Sequence, residues 1–128
     1  MEEVWKDIPG YEGYYQVSNL GRVKGVERIS HINHHIIKEK ILCNTLNHKG
    51  YKLCYLCKKG ITRAFAIHRL VYISFNGPIP EGKVVNHIDE NKLNNSLSNL
   101  NLLTPKENAN WGTAIQRRVK KRKENNAY

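Results

Sequence analysis

Residues 84–111, VVNHIDENKLNNSLSNLNLLTPKENANW, set a single histidine, His87, in a stretch crowded with carboxamides. Histidine changes charge near neutral pH and can take a proton from water. Amide oxygens are hard donors of the kind a divalent cation accepts. If His87 ends a strand and Asn108 rides a helix crossing it, the imidazole faces Asn86 and Asn108, which makes one base and two oxygen donors. Phosphodiester hydrolysis needs a base to activate water and a cation to stabilise the departing oxyanion, and such a cluster supplies both. A lone histidine beside a turn is more often structural, so spacing alone leaves the two readings open.

The elements needed to position these side chains are legible. KVV starts a strand, a loop spans roughly 88–98, and NLNLL alternates polar Asn99 and Asn101 with apolar Leu100 and Leu102, the period of a strand with one buried face. Thr104-Pro105-Lys106-Glu107 is a capping box with proline at the first helical position, so a helix starts at 105, with Asn108 on its second turn and Trp111 one turn further. A unit this small cannot be held by apolar burial alone. Asparagine tolerates left-handed turns and offers a donor and an acceptor to nearby backbone, so Asn91, Asn94, Asn95 and Asn99 suit the fastening of the loop. Upstream, HRLVYISFN is read as a helix of about two turns from His68, stopped by NGPIPEG. Residues 1–60 read as short strands of a meandering antiparallel sheet.

These stretches carry a resemblance. Residues 84–111 resemble the ββα-metal motif of HNH endonucleases, specifically the His-Asn-Asn variant of bacteriophage homing endonucleases, and AIHRLVYISF is similar to the helix preceding that motif. EVWKDIPGYEGYYQVSNLGRVKG resembles the NUMOD-type module that commonly stands before it. The resemblance implies an α+β protein: an N-terminal antiparallel sheet module that contacts DNA (1–60), a nuclease core (61–112) and a basic tail (113–128). It implies a metal-dependent DNA endonuclease with His87 as general base, Asn99 as the carboxamide that clamps the loop and orients the histidine backbone, and Asn86 and Asn108 as ligands of one divalent cation, Mg²⁺ or Mn²⁺. Asn86 stands where the wider family frequently has Asp or His, and a neutral amide binds a hard ion more weakly than a carboxylate. Asp89 is the nearest carboxylate, a loop cap or an outer-sphere partner. His68 matches a position common in relatives, with packing or phosphate contact outweighing catalysis as its role.

Composition agrees with such a partner. The chain has 128 residues, with 21 Lys plus Arg against 11 Asp plus Glu and a formal charge of +10, which favours a polyanion. Double-stranded DNA is the expected partner, with Arg63, Arg69, Arg22, Lys24, Arg117, Arg118, Lys120 and Lys121 as phosphate contacts. The first residues, MEEVWKDIPG, are acidic rather than signal-like, and no apolar run reaches the roughly 18 residues of a membrane span. A cytoplasmic protein of a phage-infected or ordinary bacterium is expected, with no small-molecule cofactor. Oligomeric state, target sequence and the number of strands cut are not written in these residues. Two alternatives compete. One is a DNA-binding module of the same fold that cuts weakly or not at all, because of Asn86. The other is a zinc-organised domain using Cys43, Cys54, Cys57 and the HINHH cluster at 31–35, although Cys43 and His48 form no recognisable second ligand pair. Trp5, Tyr11, Tyr14 and Tyr15 are expected in the core of a small domain, with one or two against DNA.

Overall fold

The computed structural model of the chain describes residues 2–30 and 32–111. Strands β1 (Trp5–Asp7), β2 (Tyr15–Ser18) and β3 (Val23–Gly25) form an antiparallel sheet. The chain then leaves it as a separate hairpin, β4 (Arg28–Ile29) and β5 (Ile36–Ile37), and returns so that β6 (Lys40–Ile41) pairs with β3. The single meander expected for residues 1–60 is therefore broken. Arg28 donates its Nη1 hydrogens to the carbonyls of Tyr14 (3.2 Å) and Val26 (3.1 Å), tying the exit of the chain just after β3.

A third sheet follows, with β7 (Thr45–Leu46) and β9 (Ile61–Ala66) on either side of β8 (Lys52–Lys58). Strand β9 pairs with β8 over its whole length, from Ala66 opposite Leu53 to Ile61 opposite Lys58. A boundary at 60/61 thus falls in the turn of one continuous hairpin. Strand β9 runs directly into helix α1 (Ile67–Asn76), which ends at Gly77, φ 95°, in the left-handed region that glycine adopts freely. Strands β10 (Val84–His87) and β11 (Leu100–Leu103) pair antiparallel, a 3₁₀ turn covers Leu97–Asn99, and the five-residue helix α2 (Pro105–Ala109) follows.

One core joins the longer elements, while β4 to β7 and α2 bury none of their residues. Ile8, Tyr15, Val17 and Val23 from the N-terminal sheet meet Cys54 and Leu56 of β8, Ile67, Leu70 and Val71 of α1, and Val85 and Leu100 of the β10–β11 pair. Alternation along β8 puts Cys54 and Leu56 inside and Tyr55 and Cys57 outside. Tyr15 closes the junction of two sheets: its hydroxyl donates to the Cys57 carbonyl (3.2 Å) and accepts from the Cys57 amide (3.0 Å). The N-terminal segment and the HNH-like segment therefore fold around shared apolar contacts.

Among the described residues the zinc alternative finds no site. Cys54 and Cys57 lie on opposite faces of β8, and burial pushes the Cys54 thiol up to about 12, so it stays protonated. Among the described residues no group of three or more His, Cys, Asp or Glu could hold a metal. His31 of the HINHH cluster and the tail residues Arg117, Arg118, Lys120 and Lys121 lie outside the described residues. No helix among those described is long and apolar enough to cross a membrane.

Candidate active site

Asn86, His87 and Asn108 line one cleft of about 180 Å³, together with Tyr51, Val85, Glu90, Lys92 and Trp111. The volume accommodates a cation and several waters, each water occupying roughly 30 Å³. The convergence expected from spacing is present, and its causes can be followed element by element.

His87 is the last residue of β10 and is 6% exposed. Its Nε2 lies 2.8 Å from the side-chain oxygen of Asn95. With that oxygen as the acceptor, the neutral form of the ring that satisfies the contact has hydrogen on Nε2 and its lone pair on Nδ1. The ring stacks against Tyr51, with centroids 5.9 Å apart, and His68 packs on both, 5.0 Å from each. Burial first, then the facing His87 and Arg69, lower the pKa of His68 to about 4, so His68 is neutral at physiological pH.

Asn86 sits opposite Asn101 in the β10–β11 ladder and donates its Nδ2 to Asn101 Oδ1 at 3.0 Å. That bond occupies the nitrogen end of the amide and leaves the oxygen as its donor atom for a cation. Asn108 is held from two sides. The capping box is complete: Thr104 N donates to Glu107 Oε1 at 2.8 Å, and Glu107 N to Thr104 Oγ1 at 3.1 Å. Helix α2 ends at Ala109, so Trp111 is beyond it rather than on a third turn. The helix buries none of its residues, and without a packed face a short helix gains little by extending. Trp111 nonetheless fastens the unit, its indole Nε1 donating to the Ile88 carbonyl at 3.0 Å.

The loop between β10 and β11 is fastened by its amides, as its composition implies. Asn99 accepts from the Asp89 amide (3.0 Å) and donates to Asp89 Oδ1 (2.9 Å) and to the Asn94 carbonyl (2.9 Å). Asp89 also accepts from the Asn91 amide (2.8 Å) and from Asn94 Nδ2 (2.9 Å). The bonds from Asn94, Asn91 and Asn99 hold the Asp89 carboxyl below its usual range. Asp89 is a loop cap and does not line the cleft. Asn99 also stays outside the cleft and steadies His87 only through residues 88 and 89, its own carbonyl accepting from the Ile88 amide at 2.8 Å. Asn99→Ala strands the Asp89 amide and the Asn94 carbonyl. It is expected to cost about 2 kcal/mol, read from urea unfolding, and an unchanged midpoint would remove the clamp from the account.

The expected DNA contacts divide. Arg22 is paired with Glu3, and Lys24 lies 2.6 Å from Glu39 and 4.4 Å above the Trp5 ring, so each has a carboxylate partner within the fold. Arg63 and Arg69 are exposed and flank Tyr11 in neighbouring hollows, on a face they share but away from the cleft. Tyr15 is in the core, Tyr11 and Tyr14 pack against it, and Trp5 serves as the platform for Lys24.

Three cleft residues escaped the sequence reading, and so did the contact of Asn95 with the imidazole. Tyr51 comes from β8's side of the molecule and has no local signature. Lys92 was one base among many, yet its Nζ sits 4.9 Å over Tyr51 and donates to the Lys49 carbonyl at 2.8 Å, putting a cation at the cleft. Glu90 is the one carboxylate among the residues that line it. Its φ of 64° is uncommon for a residue with a side chain, and its amide donates to the His87 carbonyl at 3.0 Å. Asn95 was grouped with the turn formers, and only the tertiary contact shows it on the imidazole.

A strand–loop–strand–helix unit that presents a buried histidine and two amides to one cleft defines a ββα-metal fold. Its residues 65–110 match the model of an HNH endonuclease family, and residues 3–57 match the NUMOD4 motif. The chain is 43% identical over 104 residues to the DNA endonuclease I-HmuI of Bacillus phage SP01, covering 81% of this chain and 54% of that protein. The HNH endonuclease L247 of Acanthamoeba polyphaga mimivirus is 41% identical over 111 residues, 83% of this chain and 25% of its own. The solved structure described as DNA binding and cleavage by the HNH homing endonuclease I-HmuI superposes with a TM-score of 0.69 at 37% identity, covering 97% of this chain and 68% of that one. The chain belongs to the HNH endonucleases and has their mixed α+β fold. It spans about half the length of the I-HmuI protein, 54%.

Proposed function

We propose that this chain hydrolyses a phosphodiester bond of double-stranded DNA in the cytoplasm of a bacterial host, using one divalent cation, Mg²⁺ or Mn²⁺. The observation that carries this reading is the single cleft shared by Asn86, His87 and Asn108. Its donor set fits a hard cation: two carboxamide oxygens with the Glu90 carboxylate lining the same cleft, and no thiolate. When bound, the cation supplies charge stabilisation to the leaving 3′ oxygen. His87 takes the proton of the attacking water on Nδ1 while its Nε2–H stays on Asn95. Lys92 meets the phosphate at the cleft, and Arg63 and Arg69 grip the backbone further away. The resemblance to I-HmuI, whose solved structure is described as binding and cleaving DNA, supports the same substrate class.

Chelation tests this. Nicking of supercoiled plasmid is expected to stop in EDTA and return with Mg²⁺ or Mn²⁺, while the circular dichroism of the protein stays unchanged because no metal holds the fold. Cleavage that survives chelation would overturn the metal-dependent reading. Asn86→Asp adds a charged oxygen ligand and is expected to tighten Mn²⁺ binding about tenfold by calorimetry. Unaltered Mn²⁺ affinity would remove Asn86 from the ligand set. A catalytically silent DNA-binding module is the second reading, favoured by the neutral donor pair, and it predicts DNA binding with no metal-dependent nicking.

A further inference from the structure

The N-terminal segment touches the catalytic histidine's support through one glycine. Gly21 has a φ of +90°, and a Cβ built on it would lie 2.9 Å from Asn95 Cβ and 3.2 Å from both the carbonyl carbon and oxygen of Asn95. These are mostly backbone atoms, which cannot swing aside as the end of a long side chain can. Beside this contact, the Leu97 amide donates to the Asn19 carbonyl at 2.7 Å. The residues supplying these contacts are themselves held rigidly. Asn19 accepts from the Val4 amide at 2.8 Å and donates to the Glu2 carbonyl at 3.1 Å, and Ser18, fully buried, accepts through Oγ from the amides of Leu20 (3.2 Å) and Arg22 (3.1 Å). Asn95, 4% exposed, lies between this turn and the imidazole, with its oxygen 2.8 Å from His87 Nε2.

We propose that the Ser18–Arg22 turn is a positioning element for the hydrolytic centre: Gly21 and Asn19 seat Asn95, and Asn95 holds His87 with hydrogen on Nε2 and the basic lone pair on Nδ1. The N-terminal segment then forms part of the catalytic unit as well as a surface for DNA. Glycine at 21 serves two ends, the positive φ and the close approach, and the second is what links it to His87. An added methyl must push the Asn95 backbone by several tenths of an ångström, and misplacements approaching 1 Å at a catalytic group cost up to about 10²-fold in rate. The catalytic consequence rests on the nuclease reading above, whereas the positioning itself does not.

The full chain carries the test. Gly13 has φ +80° with nothing within 4 Å of a built Cβ, so Gly13→Ala reports backbone strain alone, and Gly21→Ala reports strain plus the push on Asn95. Long-range ¹H–¹⁵N spectra, assigned by loss of the His87 signals in His87→Gln, read the ring's tautomer without any substrate. Wild type and Gly13→Ala are expected to show His87 protonated on Nε2, and both Gly21→Ala and Asn95→Ala to show mixed tautomers. In plasmid nicking, Gly21→Ala is expected to lower kcat about tenfold more than Gly13→Ala, with the DNA affinity of the two matched within about twofold. The same His87 spectrum in Gly21→Ala as in Gly13→Ala would overturn the proposal, as would equal kcat losses in the two. If the wild type never cuts but the tautomer shifts as stated, the nuclease reading falls and the positioning stands.

Discussion

His87→Ala is expected to reduce metal-dependent DNA cleavage by about 10²- to 10⁴-fold, the range contributed by a positioned general base. The expectation follows from one atom. With Nε2 committed to Asn95, Nδ1 is the only nitrogen of the ring able to take a proton. DNA affinity measured by fluorescence anisotropy without metal should change little, since the proposed phosphate contacts, Lys92, Arg63 and Arg69, are untouched. The ring also packs on Tyr51 and His68, so unfolding must be followed in parallel. Comparable trace cleavage in variant and wild type would point to a contaminating nuclease and sink the assignment of His87.

The second large effect is on stability in acid, and it comes from His68. Its folded pKa is lowered from 6.5 to about 4 by burial, by the facing His87 and by Arg69. Tyr51 packs on its ring, and Lys92 Nζ sits 4.9 Å over Tyr51. Between those two values the unfolded chain binds a proton that the folded chain does not, so stability falls as pH drops from about 6.5 toward 4 and is fully present above that window. At 1.36 kcal/mol per unit, this shift is expected to cost about 2 to 3 kcal/mol by pH ~4.5 relative to pH 7. His68→Phe keeps a ring against both Tyr51 and His87 and removes the proton site, so its urea midpoint should be less sensitive to pH across this window. Equal acid sensitivity in His68→Phe and wild type would show that other groups govern the acid limb.

Much of this protein was legible in linear form. The capping box at Thr104–Glu107 is a local hydrogen-bond pattern completed within four residues, and it formed as read. The strand alternation of β8, the glycine stop of α1 and the asparagine-fastened loop are also short-range matters, decided by backbone sterics and by donors and acceptors a few residues apart, whereas β11 shows no clean alternation and Asn99 is buried in the turn before it. Resemblance in the motifs located His87, Asn86 and Asn108, and their common cleft agrees with it.

What the linear chain left open depends on contacts between distant residues. That Arg22 and Lys24 have Glu3 and Glu39 as partners follows only from the fold, which brings them alongside. Tyr51 and His68 reach His87 only because the β8–β9 hairpin and α1 fold against the β10–β11 pair around a shared core. Asn95 could be read as a turn former from its neighbours, but its grip on the imidazole and its seat against Gly21, 74 positions earlier in the chain, exist only after folding. Local chemistry is set by spacing along the backbone, whereas the protonation state of a buried ring and the pairing of a surface charge are set by whatever the core brings within a few ångströms.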